Sequence, residues 1–100
     1  MEYTKQERMN YYYVLGKKLG KAVVKKGGQL ETRYRIYVRN LHIYPTTREK
    51  FNELVELMII ADLYIPNLQE LLTSSDEEKN TAINLILNTA MKPIAESKHK

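Results

Sequence analysis

Leu15-Gly-Lys-Lys-Leu-Gly-Lys21 and the Gly27-Gly28 pair that follows it set the predicted architecture of this chain. Around the first segment, apolar residues recur with the spacing of one helix face: Tyr12, Leu15, Leu19, Ala22 and Val23. The same spacing returns beyond the glycine pair in Leu30, Tyr34, Tyr37, Val38 and Leu41. The pattern predicts two amphipathic helices, from about Thr4 to Lys26 and from about Gln29 to Ile43.

The glycines leave two local alternatives open. Gly27-Gly28 is typical of a helix C-terminus, and it follows two lysines that suit the negative end of a helix dipole; a kink in one longer helix is the alternative. Gly16 and Gly20 lie on one helix face, where they favour the close approach of another helix or of a nucleic-acid backbone. In the second segment, Arg33 to Val38 alternates polar and apolar residues as a strand would, but the longer helical period favours a helix.

Capping and breaking signals divide the rest of the chain. Pro45 ends the second segment, and Thr46-Thr-Arg-Glu49 is a capping box that begins a third helix, expected to be the most deeply buried and to reach about Leu63. Asn67 is expected to cap a short helix, and Ser75-Asp-Glu-Glu78 to begin a last helix from Asp76 to about Met91, ended by Pro93. The sequence therefore predicts an all-α, compact bundle of four to five helices.

Length and composition limit the classes of protein that fit. The chain of 100 residues predicts a single helical domain, residues 1–100, with flexible ends at 1–10 and 94–100. The absence of cysteine excludes disulfides and cysteine-based zinc sites. The longest apolar run, Leu57 to Ala61, is far shorter than the roughly 18 residues of a membrane span, and the polar start does not resemble a secretory leader. These features predict a cytoplasmic protein without membrane contact.

Charge is divided unevenly along the chain. Through Tyr44 there are ten basic and three acidic residues, a net charge of +7, whereas six basic and nine acidic residues from Pro45 onward give −3. In the basic part, Lys17, Lys21 and Lys25 recur every four residues, Lys18 is adjacent, and Arg35 and Arg39 form a similar pair. Cations at this spacing line up along one edge of a helix and could follow a phosphate backbone. A solvated basic face, or attraction between the two halves, is the alternative.

Aromatic residues accompany these cations. Tyr12, Tyr34 and Tyr37 are interpreted as residues of the core edge with the hydroxyl in water, whereas Tyr11 and Tyr13 flank the apolar stripe and are expected to be available for binding.

No constellation for catalysis is apparent. His42 and His99 lack partners at metal-ligand spacing, and Lys26-Gly-Gly-Gln29 is not followed by the residues of a phosphate-binding loop. Glu49, Glu53 and Glu56 are interpreted as an acidic solvated face, and Ser74 and Ser75 as capping residues. The sequence predicts a protein that is not an enzyme and that uses no cofactor or metal.

The order of motifs resembles a known family. Leu15-Gly-Lys-x-Leu-Gly-Lys21 and a basic second helix precede Arg48-x-x-Phe51-x-x-Leu54-x-x-Leu57, a break at Ile65-Pro66 and a closing apolar helix. Over about residues 12–91 this order resembles the small subunit of type I CRISPR Cascade effector complexes, and the C-terminal helical domain of the Cascade large subunit. The closing helix is more polar than is usual in that family.

The resemblance implies a non-catalytic subunit beside the crRNA–DNA heteroduplex. Its basic faces would hold target and non-target DNA during R-loop formation, while base pairing provides sequence recognition. Its partners would be DNA, the heteroduplex, the large and backbone subunits and further copies of itself. The neighbouring subunits would be contacted through acidic residues of the third and last helices. Carried over by position, the phosphate contacts would be Lys17, Lys18, Lys21, Lys25, Lys26, Arg33, Arg35 and Arg39.

Two other functions compete with this interpretation. A helical protein–protein adaptor or phage-encoded inhibitor, with no nucleic-acid binding, would show the same amphipathic pattern. A helix-turn-helix repressor is less well supported, because the second helix lacks the Asn-, Gln- or Ser-rich exposed face that reads base edges.

Overall fold

A computed structural model describes residues 3–98 of the chain. This part contains five α-helices and no strand, which confirms the all-α bundle. The helices are α1 (Lys5–Lys26), α2 (Gly28–Arg39), α3 (Thr47–Ile60), α4 (Leu68–Leu72) and α5 (Asp76–Lys98), with a 3₁₀ turn at Leu41–Ile43. Residues 1–2 and 99–100 lie outside the described part, and the flexibility predicted for the ends stays a prediction.

The long helices α1 and α5 pack along each other and form the centre of the bundle. Helix α3 packs against α5, and α2 bridges α1 and α3. Their apolar faces enclose one core, whose most completely buried large side chains are Tyr12, Leu15, Leu19, Phe51, Leu54, Met58, Leu71, Ile83 and Ile86. Helix α3 is less enclosed than predicted, because Ile59 and Ile60 at its end are exposed.

The predicted helix starts are confirmed at three hydroxyl caps. Thr4 and Glu7 form a reciprocal capping box, and hydrogen bonding by Thr4, chiefly from its backbone amide, lowers the pKa of the Glu7 carboxyl. Thr46 accepts a hydrogen bond from the Glu49 amide at 3.1 Å, and Ser75 accepts one from the Glu78 amide at 3.1 Å. Within residues 3–98 neither glutamate side chain returns the bond, so the two predicted capping boxes form only their hydroxyl half. Each cap satisfies an amide that the helix itself leaves without a partner.

Gly27 separates α1 from α2, which confirms that the first helix ends at the glycine pair rather than continuing through a kink. Its φ of 54° and ψ of −144° form a backbone conformation that side chains disfavour, and Gly28 also has positive φ. The Gly27 amide donates to the Val23 carbonyl and closes α1. Helix α2 ends at Arg39 rather than Ile43, and Leu41–Ile43 form the 3₁₀ turn before Pro45.

Gly16 and Gly20 are buried where α1 meets α5, which confirms the close approach of a helix. A Cβ at Gly16 would lie 2.6 Å from both the Ile86 carbonyl oxygen and the Thr89 Cβ. A Cβ at Gly20 would overlap the Pro93 ring and lie 2.5 Å from the Ala90 carbonyl oxygen. The missing side chains allow the two longest helices to come into backbone contact.

Besides the end of α2, three predictions about helix termini are wrong. Helix α5 continues through Pro93 to Lys98 instead of ending near Met91, and the proline ring packs at Gly20, where it is partly buried. Helix α3 ends at Ile60, and Asp62 follows with a φ of 62°. Asn67 precedes α4 without capping it; its side chain is buried and its Oδ1 has no partner in the described part.

The fold offers no membrane-spanning element in residues 3–98, since none of its helices combines sufficient length with sufficient apolar character.

Candidate nucleic-acid interface

A groove of about 450 Å³ runs between α1 and the second half of α5. Lysines line it from both sides, Lys17 and Lys21 from α1 and Lys92 from α5. Lys25 extends the row from α1 into an adjoining groove that shares Lys21 with the first. Glu96 lines both grooves and is the only carboxylate that residues 3–98 contribute to them, so four lysines outweigh one acid.

A second basic groove lies between α2 and the end of α5. Arg35 and Arg39 line it from α2, and Lys98 lines it from α5, together with Tyr34 and Val38. The hydroxyl of Tyr34 is buried without a hydrogen-bond partner in residues 3–98, and burial raises its pKa. The structure therefore brings Arg35 and Arg39 together, as their spacing predicted, but on the other side of the α5 end from the lysine row.

Three of the eight predicted contacts bind carboxylates of the protein itself. The Lys26 ammonium lies 2.8 Å from the Asp62 carboxylate and lowers the pKa of that acid. Arg33 contacts Glu56 of α3 at 3.2 Å, and Arg35 contacts Glu31, one turn earlier in α2, at 2.6 Å. All six side chains are at least partly exposed, so the pairs reduce rather than abolish the attraction for a polyanion.

The remaining five predicted cations are exposed and form no ion pair in the part of the chain that the structure describes: Lys17, Lys18, Lys21, Lys25 and Arg39. Lys18 does not line either lysine groove, because it lies about 100° around the helix from Lys17. The eight residues thus divide into a lysine row, an arginine pair, and the outlying Lys18, Lys26 and Arg33.

Lys92 is the groove residue that the sequence did not indicate. It lies one residue before Pro93, where the last helix was expected to have ended. Because α5 continues, Lys92 faces Lys17 and Lys21 across the groove. The signal that could have found it is its spacing of four residues from Asn88, which also lines the groove.

The tyrosines separate largely as predicted. Tyr12, Tyr34 and Tyr37 are buried, which confirms their place in the core, but their hydroxyls are not left to water as predicted: those of Tyr12 and Tyr37 donate to Glu78 and to the Lys50 carbonyl, and that of Tyr34 is buried. Tyr13 is 46% exposed, with the Lys17 ammonium 5.2 Å from its ring centroid. Tyr11 was expected to be available for binding, and this prediction is wrong. Its hydroxyl is buried against the protein, and mainly for that reason its pKa is raised to about 12.

Acidic and basic groups also meet at the opposite end of α1. Glu78 accepts hydrogen bonds from the Tyr12 hydroxyl at 2.5 Å and from Arg8 at 3.2 Å. These contacts use the carboxylate that the predicted capping box would have turned back to the start of α5. They tie the N-terminal part of α1 to α5, and they engage Arg8 within the protein.

Within residues 3–98, no cluster of three or more His, Asp or Glu side chains is arranged to hold a metal ion. His42 is exposed in the 3₁₀ turn, and His99 lies outside the described residues.

Comparisons with models of protein families, with curated proteins and with solved structures gave no match. The geometry and the motif order are therefore what a functional proposal can draw on.

Proposed function

We propose that this protein is a non-catalytic subunit that binds the nucleic-acid backbone through the groove between α1 and α5. The resemblance in motif order suggests an RNA-guided CRISPR surveillance complex as its setting, with the crRNA–DNA heteroduplex and its displaced strand as ligands. The observation that supports the proposal is the row of Lys17, Lys21, Lys25 and Lys92 along two adjoining grooves, with no ion pair to any of the four within residues 3–98.

Spacing and exposure make this row suitable for phosphates. Residues four apart on α1 are separated by about 6 Å along the helix axis, so the row presents positive charges at regular intervals along the groove. Exposed lysines bind phosphate by releasing condensed counterions, so they do not depend on base sequence. Arg35, Arg39 and Lys98 offer a second basic surface on which the same polymer, or another part of it, could lie.

Charge reversal in the groove tests the proposal. The double variant Lys17→Glu, Lys21→Glu should bind a mixed-sequence oligonucleotide at least about tenfold more weakly at low salt, because two phosphate contacts become repulsive. Lys5→Glu, Arg48→Glu is a matched control with the same change of net charge. Lys5 is exposed near the start of α1, about 24 Å from Lys21 along the helix axis, and Arg48 is exposed in the first turn of α3 and lines none of the basic grooves.

Filter binding of the isolated protein measures both variants against the wild type. Equal losses in the two variants would show a response to net charge rather than to the groove, and no binding by the wild type would refute the proposal. The protein–protein adaptor would instead be supported by two results together: the wild-type protein does not bind oligonucleotides, and it keeps a protein partner after nuclease treatment.

The CRISPR setting needs a separate measurement. Co-expression with the large and backbone subunits of a type I effector complex should give a complex that retains this chain through gel filtration. If the chain binds nucleic acid but elutes alone, the setting is wrong and the binding function is unaffected.

A further inference from the structure

The lysine groove contains side chains that a phosphate backbone does not require. Leu85 and Pro93 provide apolar surface between the two helices, and Tyr13 forms one side with almost half of its surface exposed. The volume of about 450 Å³ is in the range of sites for small organic molecules, roughly 300–1,000 Å³. Duplex phosphates need spaced cations alone, so an aromatic and apolar lining points to a flatter, less polar group.

Asn88 adds a hydrogen-bonding group to this lining. It is exposed, and its amide has no hydrogen-bond partner within residues 3–98, whereas the neighbouring Thr89 hydroxyl donates to the Leu85 carbonyl at 2.7 Å. An asparagine amide offers both a donor and an acceptor, which matches the edge of a nucleobase. The position is also a poor one for asparagine on helix propensity alone, since Ala would stabilise the middle of α5.

We infer that the groove between α1 and α5 seats an unpaired nucleobase. Tyr13 stacks on the base, Asn88 hydrogen-bonds to its edge, and Lys17, Lys21 and Lys92 bind the phosphates on either side. This inference rests on the proposed backbone binding and assigns to this groove the unpaired, displaced strand rather than the heteroduplex. Stacking accepts every base, so the site selects unpaired nucleotides without selecting a sequence.

Abasic oligonucleotides separate the base from the phosphates. The wild-type protein should bind a thymidine 15-mer about fivefold or more tightly than a 15-mer whose central nucleotides are abasic, because both carry the same charges and stacking of one base contributes at least about this factor. Tyr13→Leu should bind the two strands equally. Tyr64→Leu, a change at a tyrosine that is 81% exposed and outside the groove, should keep the preference.

Asn88→Ala provides a second, independent test of the nucleobase site. Asn84→Ala, one turn earlier on α5, is its matched control. Both asparagines are exposed, but only Asn88 lines the groove, so only its loss should weaken the preference for the strand that carries bases. Helix content by circular dichroism should be unchanged in all four variants.

The possible outcomes distinguish failure of the base site from failure of the proposed backbone binding. Equal affinity of the wild type for the two strands, or an undiminished preference in Tyr13→Leu, would overturn the base site while leaving backbone binding intact. Failure of the wild type to bind either strand would overturn the proposed function itself.

Discussion

Gly20 shows most clearly how a single residue positions the groove. In an exposed helix, replacing glycine by alanine stabilises by up to about 1 kcal/mol. At Gly20 the new Cβ would overlap the Pro93 ring and press on the Ala90 backbone, and neither of these neighbours is the flexible end of a side chain. Helix propensity therefore favours alanine at this position and packing disfavours it. Because the contacts of the new Cβ would be so short, the packing effect is the larger one.

Gly20→Ala should consequently lower the free energy of unfolding by roughly 1–3 kcal/mol, the usual cost of an overpacked contact. Urea denaturation measures this change. Asn84→Ala is the control, since it makes a helix-favouring substitution on the exposed face of α5 and should raise the free energy slightly. A stabilised Gly20→Ala would contradict the close contact of α1 with α5.

At the same scale, Tyr12→Phe tests the contact that joins the N-terminal part of α1 to α5. The variant removes the hydroxyl that donates to Glu78 at 2.5 Å, while Arg8 stays in place beside the carboxylate. Hydrogen bonds to charged groups contribute about 1.5–3 kcal/mol, so the free energy of unfolding should fall by an amount in the lower part of that range. Tyr64→Phe, at an exposed position, should have no measurable effect in the same urea titration.

Single residues were predictable from the sequence where local geometry determines them. Thr4, Thr46 and Ser75 act on amides three residues later, a relation that depends on no other part of the chain. Tyr11 was misjudged because its position at the edge of the stripe does not reveal which segment covers it. Lys26 and Arg33 likewise found carboxylates 36 and 23 residues away, and no local pattern reports such a pairing.

Helix α5 is the element whose extent the sequence underestimated. Proline removes a backbone donor and usually ends a helix, but here the ring occupies space that Gly20 leaves open on α1. Packing between the helices offsets the cost of the missing hydrogen bond, and the local sequence around Pro93 gives no information about that packing. The same error hid Lys92, so the boundary of an element and the membership of the site were misjudged together.

Pro93→Ala follows from this balance. The substitution restores the amide that can donate to the Thr89 carbonyl, and it loses contacts of a ring that is only partly buried. A helix-interior proline is about 3 kcal/mol less favourable than alanine, so the variant should raise the free energy of unfolding by roughly 1 kcal/mol after the lost packing is included.

Amide hydrogen exchange should show slower exchange across residues 94–98 in Pro93→Ala than in the wild type, along with the higher stability in urea. Faster exchange there would mean that the contact of the ring with Gly20, rather than the helix backbone, holds the end of α5 in place.

For the molecule as a whole, buried tyrosines make stability depend on alkaline pH. Burial raises the pKa of Tyr11 to about 12 and raises the pKa values of Tyr12, Tyr34 and Tyr37 as well. A folded-state pKa above the unfolded value of about 10 means that the folded protein keeps protons which the unfolded chain releases. Stability from these groups is therefore complete below about pH 10 and is lost as pH rises toward 12 and beyond.

The urea concentration at the midpoint of unfolding should therefore be constant from pH 8 to about pH 9.5 and should decrease steeply at higher pH. Tyr11→Phe should fall less steeply than the wild type, because it lacks one of the titrating hydroxyls. A midpoint that does not change up to pH 11, or an equal slope in the variant, would contradict the burial of these hydroxyls.

At this scale the sequence predicted the class of fold but not the arrangement of charge. Helical periods and caps determine the number of helices, whereas the groove exists because α1 and α5, separated by half the chain, pack side by side. The lysine row on α1 was predictable from its spacing alone. Its partner on α5, and the separation of Arg35 and Arg39 from it, depend on packing between helices.

The salt dependence of oligonucleotide binding tests the central claim most directly. Four lysines on a single strand predict a slope of about −2.8 for the logarithm of the association constant against the logarithm of salt concentration, and about −1.4 for Lys17→Ala, Lys21→Ala. A wild-type slope near zero, or the same slope in the wild type and the double variant, would contradict a phosphate backbone lying along this groove.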